Sequence, residues 1–325
     1  MKKLAICAIA SNENLYLRDW VKYHIDLGVQ KIILFDNSPV DGDYPQQVIG
    51  DYIAERIVSI IHVRKEGFNP FLLQEMCYTS AYKVCHNDFD FMVFIDIDEY
   101  LTLAPGLSLD DFLNRFEDTD MIKLNWMCYT DNGLLHYDGR PVTERFTEPM
   151  KPYNKPDWWS DSHPVNSTIK TIVNCNRIND ASFLSSNTPH FCITEKGNDA
   201  VAKSASGNKV NPYASACNID YSVAWLRHFR TLTIEEFLYR RFARGMGDAR
   251  SVTTKVKNLL KIFMVENKAT PEKQQIVNEF FLNGPGKVHL EYEAENPDKV
   301  EKEDLEYDKD YYSQLIEKVA AAYNK

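Results

Sequence analysis

Phe91-Met92-Val93-Phe94-Ile95-Asp96-Ile97-Asp98-Glu99 decides how this chain reads: an unbroken apolar run stops abruptly at a group of carboxylates. An apolar run without polar alternation marks a strand buried on both faces, as in a parallel sheet covered by helices. Residues two apart in a strand point the same way, so Asp96 and Asp98 are expected to present two carboxylates together at the strand's end. That end is where open α/β sheets bind ligands. Paired hard oxygen ligands suit Mg²⁺ or Mn²⁺ bridging to a diphosphate better than they suit zinc. Asp-x-Asp alone also reads as an acidic turn; its place after the fourth strand of an alternating series favours the metal.

Upstream, residues 4–10 form the first strand, and Leu17, Trp20, Val21 and His24 recur at helical spacing up to a stop at Gly28. Residues 32–35 make a second strand ending at Asp36-Asn37. Tyr44-Pro45 opens a helix with Val48, Ile49, Tyr52 and Ile53 on one face, and 57–63 is a third strand. Asn69-Pro70 combines an N-cap with proline at N1, for a helix to about Cys85. Downstream, 121–126, 169–173 and 223–228 read as strands, and 151–163, rich in proline and tryptophan, as a long surface loop. Thr233 and Glu236 form a capping box for a helix through Phe242. The expected architecture is α/β, a mostly parallel sheet with helices on both faces, in a domain over 1–247. A helical extension over 248–325, acidic toward its end, follows.

The 325 residues suffice for a substantial core, and a net charge of -10 argues against a general nucleic-acid binder. Seven cysteines lack CxxC or zinc spacing and read as thiols in a reducing compartment. Met1-Lys2-Lys3 and the apolar residues after it imitate a signal peptide, but a buried first strand explains them more economically. No apolar stretch approaches the roughly 18 to 20 residues that span a bilayer. The expected location is therefore cytoplasmic, or peripheral to the inner face of the membrane.

Ordered blocks along the chain resemble glycosyltransferase family 92 and related family 2-like glycosyltransferases. They begin with Ala8-Ile9-Ala10-Ser11-Asn12-Glu13, Leu17-Arg18-Asp19-Trp20-Val21-Lys22-Tyr23-His24 and Leu27-Gly28-Val29. Phe35-Asp36-Asn37-Ser38, Gln74 and Phe94-Ile95-Asp96-Ile97-Asp98-Glu99-Tyr100-Leu101 follow. Trp126, Arg145-Phe146, Lys170-Thr171-Ile172-Val173, Pro189-His190-Phe191, His228-Phe229-Arg230, Glu235-Glu236-Phe237 and Arg244-Gly245 complete the series, over roughly residues 4 to 247. The resemblance implies a GT-A fold, a UDP-sugar donor, Mn²⁺ or Mg²⁺, and hexosyl transfer with inversion, in surface polysaccharide or glycan synthesis. It implies that Asp96 and Asp98 hold metal and donor with His228 as third metal contact, and that Asn12, Glu13, Asp36 and Gln74 line the nucleotide pocket. Where family members often carry lysine and serine after the histidine, this chain has Leu232 and Thr233; Arg230 is the candidate replacement cation.

Blander readings stand beside these. His228 also fits a hydrogen-bonded histidine at a strand end, and Asn12 and Glu13 fit helix caps. Trp158 and Trp159 suit either stacking on an acceptor sugar or packing; His24, on a buried stripe, reads as structural. Asp131 and Asp161 are the candidate bases for the acceptor hydroxyl. The basic stretch 227–261 is by default a solvated helix face, or else a contact to an anionic membrane or a lipid-linked saccharide acceptor. A metal-dependent nucleotidyltransferase would need a glycine-rich phosphate loop that this chain lacks near its N-terminus. A non-catalytic carbohydrate-binding protein would have no use for Asp96 and Asp98.

Overall fold

Strands buried on both faces make the centre of the protein in a computed structural model that describes residues 1–63, 70–152, 164–186, 188–243, 260–261, 263–284 and 309–323. β1 (Leu4–Ala10), β2 (Lys31–Asp36), β3 (Val58–His62) and β4 (Phe91–Phe94) lie side by side in the order β3-β2-β1-β4, all parallel. Ala5 and Cys7 join Ile33 and Phe35 in a core with Met76, Cys77 and Ala81 of α3 (Pro70–Cys85) and Leu315 and Val319 of the helix Lys309–Tyr323. Leu4, Ile6 and Ala8 point to the opposite face and are equally buried. Both faces are covered, which is why these strands show no polar alternation.

α1 (Asn14–Leu27) buries Tyr16, Leu17, Trp20, Val21 and His24 as one stripe and stops at Gly28, whose left-handed φ of 108° lets its N–H reach the last turn. His24 is structural: its Nδ1 meets the Trp20 carbonyl at 2.9 Å, and its Nε2 accepts the Leu101 N–H at 3.2 Å. Burial lowers its pKa to about 3. α2 (Gln46–Ala54) departs from the expected broad apolar face: only Ile49 is fully buried, and the helix kinks there, at φ -129°.

Beyond β4 come β5 (Glu99–Leu103), α4 (Leu109–Asn114), β6 (Met121–Cys128), α5 (Val142–Arg145) and β7 (Ile169–Asn174). A small hairpin of β8 (Ala181–Ser182) and β9 (Ile193–Thr194) follows, then β10 (Ala202–Ser204), β11 (Lys209–Val210), β12 (Ala224–His228) and α6 (Ile234–Leu238). The sheet continues from β4 through antiparallel β7 to β6 and β10, which run with β4, and ends at antiparallel β11. It is thus mostly parallel, as expected. β12 pairs with β5 and β6, and its register sets His228 opposite Glu99.

Contacts divide the chain into two units: 1–127, 152–228 and 307–325 in one, 128–151 and 229–306 in the other. Leu315 and Val319 complete the core of the first unit. The second unit packs Ile234, Phe237 and Leu238 against Phe263, Val277 and Phe281. Its capping box forms as expected, with Thr233 Oγ accepting from Glu236 N–H, and Glu236 also takes a buried bidentate pair from Arg145 at 2.7 and 2.8 Å. The helical run continues from α6 through Phe242 as expected, widening to a π-helical segment over Tyr239–Ala243. All seven cysteines are free thiols. Among the described residues no helix is long and apolar enough to cross a membrane.

Candidate active site

β4 ends at Phe94, and residues 96–99 form a turn closed by the Glu99 N–H donating to the Asp96 carbonyl at 3.1 Å. A turn, not strand alternation, therefore sets the two aspartates, and their surroundings differ. Asp96 Oδ1 accepts from Gln74 Nε2 at 2.6 Å and Tyr78 Oη at 3.3 Å, and its Oδ2 accepts from Lys170 Nζ at 2.8 Å. Lys170 comes from the start of β7, is fully buried, and also stands 3.8 Å from Glu99 Oε2. That Glu99 oxygen accepts the Asp96 N–H at 3.0 Å. Burial works against the charge on Asp96, but the Lys170 ammonium outweighs it and holds the carboxyl below its usual range. Burial also pulls Lys170 down, and Asp96 and Glu99 more than reverse it. Glu99 itself is pushed well up by burial.

Asp98 meets β12 instead: its Oδ1 lies 3.5 Å from His228 Nε2, with the two side chains 14% and 9% exposed. The His228 ring packs on Trp126, centroids 4.2 Å apart. A carboxylate oxygen and an imidazole nitrogen this close can share a divalent ion such as Mn²⁺. Among the described residues no three His, Cys, Asp or Glu side chains gather into a complete metal cage. An ion there would take its remaining ligands from phosphate oxygens and water, as Mg²⁺-type sites do.

The ends of β1 and β2 are tied together by the other expected residues. Asp36 is buried; its Oδ1 accepts the Ser38 N–H at 3.0 Å, and its Oδ2 meets His62 Nδ1 at 2.7 Å. Asn12, at φ 51°, accepts the Asp43 N–H at 2.9 Å and donates its own N–H to Ser38 Oγ at 2.9 Å. A Cβ on Gly42 would overlap Asn12 Oδ1, so only glycine permits this approach. Glu13, nearly buried, opens α1 through its carbonyl, which accepts from the Tyr16 and Leu17 N–H groups.

Asp131 and Arg230 belong to the second unit. Asp131 is buried, accepts the Gly133 N–H at 2.8 Å, and has Lys273 Nζ 2.5 Å from its Oδ2, a close ion pair not aligned as a hydrogen bond. Arg230 stands 3.5 Å from the Glu266 carboxylate. Asp161, Trp158 and Trp159 lie outside the described residues. Of the basic stretch, Arg240 is buried, Arg241 donates to the Arg230 carbonyl, Lys261 is exposed, and 244–259 lie outside the described residues. Arg240 and Arg241 thus offer no open basic face. The sequence reading assigned no role to Lys170, Glu99, Tyr78 or His62. The available signal was a lone lysine inside the apolar strand Ile169-Lys170-Thr171-Ile172-Val173, since a buried ammonium must find a carboxylate.

The family model for glycosyltransferase family 92 matches residues 2–200. A glycosyltransferase family 92 protein of Ricinus communis is 25% identical over 185 residues, spanning 53% of this chain and 31% of that protein. One of Oryza sativa subsp. japonica is 26% identical over 147 residues, spanning 44% and 24%. The chain thus matches less than a third of the length of these curated relatives. Among solved structures, S. aureus TarS 1-349 is similar at TM-score 0.31 and 12% identity, covering 99% of this chain and 81% of that one. Glucosyl-3-phosphoglycerate synthase from Mycobacterium tuberculosis, in complex with Mn²⁺ and uridine diphosphate, is similar at TM-score 0.24 and 16% identity, covering 38% and 44%.

Proposed function

The chain belongs to glycosyltransferase family 92, and from that premise we propose that it transfers a hexose from a UDP-sugar to an acceptor hydroxyl, with inversion, using Mn²⁺ or Mg²⁺ held by Asp98 and His228. The observation that carries this reading is the approach of Asp98 Oδ1 and His228 Nε2 to 3.5 Å beside the turn that ends β4. Bound there, the divalent ion would offset charge on the departing diphosphate. Asp96, pinned by Gln74, Tyr78 and Lys170, keeps a second negative charge beside that position. Asn12, Glu13, Asp36 and Gln74 hold the loops that would enclose the nucleotide.

A carboxylate would remove the acceptor's proton as its oxygen attacks the anomeric carbon. Asp131 is committed to Lys273, so the proposal keeps Asp161 for this role. The acceptor is a saccharide or lipid-linked saccharide of glycan synthesis, and the reaction is placed on the cytoplasmic side.

UDP-sugar turnover with and without Mn²⁺, alongside calorimetric Mn²⁺ titration of His228→Ala, tests the reading. The expected result is metal-dependent turnover, with turnover and Mn²⁺ affinity falling together in the variant while its metal-free stability is kept. A variant that binds Mn²⁺ normally and only melts earlier would make His228 a structural residue. Absence of uridine nucleotide binding in the presence of Mn²⁺ would overturn the donor assignment.

A further inference from the structure

Among the described residues β3 is an edge strand of the sheet, with no strand beyond it. The Ile32 N–H bonds to the Ile57 carbonyl at 2.9 Å and the Val63 N–H to the Asp36 carbonyl at 3.0 Å, so the odd-numbered residues along β3 direct their backbone groups to β2. In a parallel ladder the alternate residues face the other way. Val58, Ile60 and His62 therefore turn their N–H and C=O groups outward, and among the described residues nothing hydrogen-bonds to them.

A groove of about 570 Å³ runs along this edge, between residues of α2 and of the helix Lys309–Tyr323. That is the size of a ligand site, about 300–1,000 Å³, and a five-residue strand is roughly 17 Å long. Lys31, Arg56 and Lys318 line the groove with no carboxylate among its described lining residues, in a chain of net charge -10. Lys31 Nζ rests on the Arg56 carbonyl at 2.7 Å and lies 5.3 Å from the Tyr323 ring centre, so its charge is held in place.

We propose that this groove binds an extended acidic peptide, which adds to β3 as a further strand. The outward backbone groups would supply affinity for any extended chain, and the three cations would select acidic side chains. Lysines at a sheet edge oppose pairing with a second copy of the same basic edge, while the same charges favour an acidic partner. The inference does not depend on the proposed glycosyl transfer, because it uses neither Asp98 nor His228.

The test uses the full chain and a fluorescent acetyl-Glu-Val-Glu-Val-Glu-amide peptide, read by anisotropy, with hydrogen exchange at the Ile60 and His62 amides. The expected result is binding that protects both amides and weakens about tenfold, or 1.4 kcal/mol, in Lys318→Glu, a change on an exposed helix face that leaves the fold intact. A lysine-for-glutamate peptide should not bind, nor should one N-methylated at every residue, which has no N–H left on either edge. Four outcomes would overturn the proposal. They are no binding at millimolar peptide, equal binding of the lysine peptide, equal binding of the N-methylated peptide, and a wild-type dimer that Lys318→Glu dissociates. The third would mean a small-anion site; the last would mean that a second copy fills the groove.

Discussion

Asp98 and Asp131 each follow a strand of the sheet and each face a basic side chain, yet the two regions do opposite things with the charge. Asp131 is paired with Lys273 at 2.5 Å, with the side chains only 4% and 2% exposed. A lysine is a permanent counter-charge, and a pair this enclosed acts as a fixed joint of the second unit. Asp98 faces a histidine at 3.5 Å, in a site partly open to solvent. Neutral imidazole can give its lone pair to an ion, which a lysine ammonium cannot. Position after a strand thus does not fix a carboxylate's surroundings; the nature and enclosure of its partner differ between the two.

The contrast can be broken at either side. Lys273→Met removes the counter-charge and strands Asp131, so the largest effect expected is a loss of about 3–5 kcal/mol in urea unfolding. A loss under about 1 kcal/mol, as for exposed pairs, would show that the joint carries little. Next, Asp98→Asn should lower Mn²⁺-dependent UDP-sugar turnover by ~10²- to 10³-fold with the urea midpoint nearly unchanged. Loss of stability instead of rate would place Asp98 with Asp131.

The smallest effect concerns a histidine that, unlike His228, is fully sealed. His24 has a folded pKa of about 3, against roughly 6.5 in an unfolded chain. Between those values the unfolded state binds the extra proton, so this stability is complete above about pH 6.5 and is lost as pH falls toward 3, at up to about 1.4 kcal/mol per pH unit. His24→Gln should flatten the dependence of unfolding free energy on pH between 7 and 5. An unaltered slope would mean that other groups set the acid limb.

Much of the fold was legible from local chemistry. β1 to β4 lack polar alternation because both faces are covered; Gly28 and the Thr233–Glu236 capping box mark helix ends by backbone requirements that need no distant partner. β8 to β11 were not legible, since strands of two or three residues carry no period. The kink at Ile49 also left no trace in the apolar spacing of α2.

Local residue order was enough to decide that an apolar strand would deliver Asp96 and Asp98 to the strand's end in an α/β sheet, because burial preference and backbone propensity act over a few neighbours. Folding alone decided which partner each of the two would face. Lys170 reaches Asp96 from β7, and β12 returns to set His228 beside Asp98. Electrostatic compensation depends on distance in space, and those partners stand far away along the chain.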